Sequence, residues 1–68
     1  MNRFGERLKE LRVESGISQQ KIADDFKTTA ATVSRWENGI QEPDIDTIIS
    51  LANYFKTTTD YLLGRTEY

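Results

Sequence analysis

Cysteine and histidine are both absent from the 68 residues. Without cysteine the chain can form neither a disulfide nor a thiolate metal site. Without histidine only carboxylates remain as anionic metal ligands, and the usual transition-metal spacings are missing. Neither a metal nor a cofactor is expected. No apolar run exceeds three residues, whereas a membrane span takes about 20. The opening Met-Asn-Arg-Phe-Gly-Glu has no apolar run behind Arg3 and does not read as a signal peptide. A cytoplasmic protein is expected, with no membrane partner. Low-complexity tracts, linkers and repeats of roughly 20–50 residues are not evident. No Gly-rich phosphate loop and no carboxylate pair in an evident pocket points to catalysis. Asp24-Asp25 reads as a solvated helix end, and neither an enzyme nor catalytic residues are expected.

A chain this short buries only about 60% of its unfolded surface, so its core must be economical. One domain covering residues 1–68 is expected, stabilised by helix packing alone. The net charge is −2, but its distribution matters more than its sum. Residues 1–17 carry four cations and three anions, and residues 18–41 carry three of each. Residues 42–68 carry two cations and five anions. The acidic excess therefore lies in the last third, and exposed charges are screened within about 8–10 Å.

Five short helical patterns follow one another, which makes the fold class all-α. The first covers about Arg3 to Glu14, where Phe4, Leu8 and Leu11 share a face at i, i+4, i+7. Arg7, Lys9 and Glu10 lie off that stripe, and Gly16 suits the left-handed position that ends a helix. The second starts after Ser18, a good N-cap, and runs Gln19 to Phe26 with Ile22, Ala23 and Phe26 inward. The third starts after Thr29 and runs Ala30 to Glu37, ended by Asn38-Gly39. Asp44 caps a fourth, Ile45 to Phe55, with Ile45, Ile48, Ala52 and Phe55 inward and Ile49 or Leu51 flanking. Thr58 begins a short fifth helix through Leu63, closed by Gly64. No start carries the Glu or Gln of a full capping box.

Only Lys27-Thr28-Thr29 separates the second and third helices. Helices joined so tightly cross steeply, which is helix-turn-helix geometry, and the small Ala23 lets the third helix approach. At about 100° per residue, Val33 and Trp36 fall on the core side of the third helix. Ala30, Ala31, Ser34, Arg35 and Asn38 fall on the other. Small residues with one guanidinium can lie against the floor of a DNA major groove without obstruction.

Ser18-Gln19-Gln20-Lys21-Ile22-Ala23, then Thr32-Val33-Ser34-Arg35-Trp36-Glu37-Asn38-Gly39, then Pro43, then Tyr61-Leu62-Leu63-Gly64, resemble the Cro/C1-type (XRE) DNA-binding domain of phage repressors and bacterial regulators. The resemblance runs from about Phe4 to Gly64. It implies a compact five-helix, lambda-repressor-like domain with its helix-turn-helix at about residues 19–38. It also implies a regulator of transcription, a repressor in the first instance, that binds double-stranded DNA as a dimer on two-fold operators. Residue by residue, Ala30, Ala31, Ser34 and Arg35 would face bases, with Arg35 reaching either a guanine edge or a phosphate and Ser34 able to contact either. Gln19, Lys27, Thr29, Thr32, Asn38, Gln41 and Arg12 would meet phosphates, with Gln19 helped by the positive end of its helix. Thr29 and Asn38 also read as helix caps. Arg12 and Glu37 would form an ion pair that orients the third helix. Trp36 reads as core. The homodimer seam would lie at the fifth helix, on Thr59, Tyr61, Leu62 and Leu63.

Three features depart from the family pattern. Lys27 and Lys56 stand at turn positions that usually hold Gly, where a left-handed Lys costs about 1 kcal/mol, so an adjusted turn is expected at each. Ile40 replaces a frequent Lys, which removes one cation near the backbone. Ala30 and Ala31 replace residues that often read bases, and alanine can only touch a thymine methyl or leave room. A second reading makes the domain an antitoxin or protein-interaction module that docks a partner through Tyr61, Leu62 and Tyr68.

Overall fold

The helix starts and stops account for most of the architecture. A computed structural model describes residues 2–67 and contains α1 (Phe4–Glu14), α2 (Gln19–Asp25), α3 (Ala30–Glu37), α4 (Ile45–Tyr54) and α5 (Thr59–Leu62), with no strand among these residues. Four of the helices begin at a side-chain cap. Ser18, Thr29, Asp44 and Thr58 accept from the amides of Lys21, Thr32, Thr47 and Tyr61, each satisfying an amide that the helix itself cannot. All five end on a residue of positive φ: Gly16, Lys27, Gly39, Lys56 and Gly64. Behind each, a backbone amide returns to a carbonyl of the last turn, as in Thr28 N to Ala23 O at 2.9 Å and Thr57 N to Ala52 O at 2.8 Å. The two lysine turns are not adjusted: Lys27 and Lys56 are both left-handed, with φ of 58° and 56°.

Those two lysines belong to a short repeat. Phe-Lys-Thr-Thr occurs at residues 26–29 and again at 55–58. Each copy closes one helix on a left-handed Lys and caps the next with its second Thr. The α2–α3 turn is thus rebuilt between α4 and α5.

Every helix contributes to the core, which comprises Phe4, Leu8, Ile22, Ala23, Val33, Trp36, Leu51, Ala52 and Leu62. The expected inward residues of α1, α2 and α3 are in place, with Leu11 and Phe26 partly buried. On α4 the expectation is corrected. Ile45 is 74% exposed and Leu51 is fully buried. Ile48, Leu51, Ala52 and Phe55 make the packed stripe at i, i+3, i+4, i+7. Ile45 shares that face but sits in the first turn, where no neighbouring element covers it. Leu62 is also corrected: it is fully buried in this core and cannot form a dimer seam or dock a partner. Tyr68 lies outside the described residues.

Arg7, placed off the apolar stripe, is only 3% exposed. The C-terminal segment folds back over it, an arrangement that helical periodicity does not encode. Its Nη1 donates to the carbonyls of Tyr61 at 3.3 Å and Thr66 at 3.4 Å, and the guanidinium lies 4.2 Å from the Tyr61 ring centroid. Arg3 N–H donates to Leu63 O at 3.2 Å, so α1 and the chain end are tied at two levels. At the far end of α2, the Tyr54 hydroxyl donates to Asp25 at 2.5 Å. That bond holds the Asp25 carboxyl below its usual range and, with desolvation, pushes Tyr54 up to about 12. Tyr54 also meets Phe26 edge-on at 5.3 Å.

Two features set the position of α3. Gly5 brings α1 against its last turn: a Cβ there would stand 2.6 Å from the Glu37 carbonyl oxygen and 2.7 Å from that of Trp36. The expected Arg12–Glu37 pair forms, with Nε to Oε2 at 2.6 Å and Nη2 to Oε1 at 3.2 Å. Gln19 Nε2 adds a third bond to Glu37 at 3.0 Å, and Arg12 Nη1 donates to Ile17 O at 3.1 Å. One carboxylate at the end of α3 therefore holds α1 and the start of α2 together.

Three outcomes test this packing by urea or thermal unfolding. Gly5→Ala destabilises by about 2 kcal/mol through overpacking against backbone, although alanine favours a helix. A neutral result would place α1 farther from α3. Lys56→Gly relieves the left-handed strain and raises stability by about 0.5–1 kcal/mol, a few degrees in Tm; an unchanged Tm would contradict that strain. The Glu37→Leu variant loses about 3 kcal/mol, because Arg12 is left buried without its counter-charge, while Arg12→Met with Glu37→Leu loses less. Equal losses would show that the pair does not act as a unit.

Candidate nucleic-acid interface

The outer side of α3 is assembled from its cap, its first turn and the loop that follows it. Thr29 is spent partly on structure: its Oγ1 accepts from Thr32 N at 3.2 Å and shares a hydrogen bond with Thr32 Oγ1 at 3.0 Å. Ala31 is exposed and Ala30 half-buried. The N-terminal part of this face is therefore small and flat, with no side-chain donor at either alanine. Ser34 is half-buried and Arg35 exposed, one turn or more beyond. Asn38, at the C-cap, points back along the helix, with Nδ2 3.4 Å from Ser34 Oγ.

Gln41 reaches this face because α3 stops at the left-handed Gly39 and the chain doubles back. The amides of Ile40 and Gln41 both donate to Arg35 O, at 3.0 and 3.3 Å. That brings Gln41 Oε1 to 3.0 Å from Arg35 Nε. Arg35 Nη2 donates to Thr32 Oγ1 at 3.1 Å. Thr29, Thr32, Arg35 and Gln41 thus form one connected chain across the surface. Helical spacing placed only Arg35 of these four on the outer side, and the family resemblance placed Gln41 at the exit of α3; neither gave these bonds, for which the sequence holds one sign, the Asn38-Gly39 stop that reverses the chain.

The remaining expected residues divide by how far they are engaged. Lys27 is exposed in the turn before Thr29. Gln19 is half-buried at the start of α2, with its amide on Glu37. The Arg12 side chain is 14% exposed, and all three of its nitrogens donate within the protein. Its charge is balanced locally by Glu37, which is 2% exposed at the side chain. Ile40, 73% exposed, supplies no charge. Positive charge on this side is therefore concentrated at Arg35 and Lys27. Trp36, as expected, is core at 5% exposure and offers no ring for stacking. Among the described residues no cluster of His, Cys, Asp or Glu could hold a metal ion.

A helix-turn-helix family model matches residues 8–62. The HTH-type transcriptional regulator ImmR of Bacillus subtilis (strain 168) is 38% identical over 64 residues, covering 94% of this chain and 50% of ImmR. The SPbeta prophage-derived uncharacterized HTH-type transcriptional regulator YonR of the same strain is 43% identical over 64 residues, covering 94% of this chain and 59% of YonR. The chain spans about half the length of these curated relatives. Among solved structures, the P22 c2 repressor in complex with synthetic operator 9T superposes with a TM-score of 0.82 at 25% identity, over 93% of this chain and 96% of that one. Sequence, helix order and tertiary arrangement agree: the chain belongs to the Cro/C1-type helix-turn-helix family.

Proposed function

We propose that the chain binds double-stranded DNA through the outer face of α3 and acts as a sequence-specific regulator of transcription, a repressor in the first instance. The observation that carries this reading is the flat Ala30–Ala31 surface running into the exposed guanidinium of Arg35. The likeness to a repressor solved on its operator supports it. In this reading residues 1–68 work as one DNA-binding unit with its motif at about 19–38, and it is a binding protein, not an enzyme. Arg35 reads a base edge, and Ala30, Ala31 and Ser34 lie against bases. Lys27, Thr29, Thr32, Asn38 and Gln41 fix the register on phosphates. Gln19 adds a phosphate contact from the start of α2, and Arg12, through its small exposed part, another. One copy reads one half-site, so useful affinity calls for a homodimer with half-sites about one turn apart. With Leu62 in the core, the seam is carried by Thr59, Tyr61 and Leu63, which are half-buried in the single chain. No helix among the described residues is long and apolar enough to cross a membrane, which agrees with work on DNA in the cytoplasm.

Selection from random duplex DNA at moderate salt tests the reading: a two-fold motif is expected, and no enrichment would reject it in favour of a protein-docking role. Arg35→Ala abolishes selective binding and keeps the wild-type melting temperature; undiminished affinity for the selected duplex would remove Arg35 from the groove. Few cations line the face, so log K falls with log salt as for about 3–5 phosphates per monomer. A slope typical of a highly basic repressor would contradict that charge distribution. Sedimentation showing only monomer, free and on the selected duplex, would reject the dimer.

A further inference from the structure

Thr32 and Gln41 stand in the sequence reading as phosphate contacts, yet both are bonded to Arg35. A guanidinium carries five N–H donors in a fixed plane. Here Nε–H is held by Gln41 Oε1 at 3.0 Å, and one Nη2–H by Thr32 Oγ1 at 3.1 Å. Thr32 is itself anchored by Thr29 through its amide and its hydroxyl. Gln41 is anchored because its own amide returns to the Arg35 carbonyl at 3.3 Å. Both acceptors are therefore fixed to the backbone of α3 or its cap, and they grip a long side chain that would otherwise sample many rotamers.

Three donors remain: both protons on Nη1 and the second on Nη2. They form a fork at the tip of the side chain, the geometry that suits two acceptors on one base edge, as on guanine O6 and N7. The neighbouring alanines offer no competing acceptor. Resting on the DNA-binding reading, we infer that Thr32 and Gln41 are specificity-positioning residues: they hold the Arg35 fork in place to read guanine. Gln41 can still donate its amide to a phosphate. The two roles separate by sequence dependence, since a phosphate contact weakens all duplexes alike and a positioning contact weakens only the one whose guanine is read.

The test uses the duplex enriched by wild type from a random pool and a scrambled duplex of equal length. Affinities for both, and base preference by a second round of selection, are measured for Gln41→Ala, Gln41→Glu and Thr32→Val. Gln41→Ala loses the guanine preference at one position per half-site and lowers affinity for the enriched duplex about tenfold more than for the scrambled one, whatever loss of a phosphate contact both duplexes share. Thr32→Val, which keeps the shape and removes the hydroxyl, does the same. Gln41→Glu retains an acceptor for Arg35, so it keeps the guanine preference while weakening both duplexes alike. Equal weakening by Gln41→Ala on both duplexes, with the guanine preference intact, overturns the inference alone. Failure of wild type to enrich any duplex overturns the DNA reading and the inference with it. Gln41 is exposed, so unchanged melting of its variants confirms that folding is not what is being read.

Discussion

The carboxylate of Glu37 is the constraint on which the interface depends. It sits at the last turn of α3, nearly inaccessible, and collects Arg12 from α1 and Gln19 from α2. A buried charge of this kind is stabilised only if its partners are in place. Its value is therefore more in geometry than in net stability. Three helices that meet at one carboxylate cannot rotate independently, so the outer face of α3 is presented at one angle. Gly5 works in the same direction by letting α1 reach the backbone of that turn.

From there the organisation runs outward. Behind the clamp, Val33 and Trp36 bury the inner side of α3. In front of it, Thr29, Thr32 and Gln41 hold Arg35. The same residues serve the fold and the surface: Thr29 caps α3 and anchors the chain of bonds, and Gly39 both ends the helix and returns Gln41 to it. The face carries little charge, so in the proposed reading a large share of the recognition would rest on fit, on thymine methyl contacts at Ala30 and Ala31, and on DNA shape.

Much of this was legible in the residues because it is local. Ser18, Thr29, Asp44 and Thr58 announce helix starts by chemistry that acts within three positions, and Gly16, Gly39 and Gly64 announce stops. The ends of α3 come out at Ala30 and Glu37 as expected. Lys27 and Lys56 were legible only as positions where the family pattern has Gly; that the chain keeps the left-handed turn and bears its cost was not. What was not legible depends on distant parts of the chain. Arg7 is buried by residues near the C-terminus, Ile45 is bare because nothing lies across from the first turn of α4, and Leu62 belongs to the core and not to a seam. The Arg35–Gln41 bond is missed for a related reason: it requires the path of the loop after Gly39, which helical spacing does not describe.

The central claim is that the tip of Arg35 meets a guanine in the major groove. Methylation interference measures this directly, because dimethyl sulfate marks guanine N7 in the major groove and adenine N3 in the minor groove. On a bound duplex the account predicts that N7 methylation of one guanine per half-site blocks binding, that Arg35→Ala removes this sensitivity, and that adenine N3 methylation has little effect. Interference confined to adenine N3, or guanine interference that persists in Arg35→Ala, would contradict it.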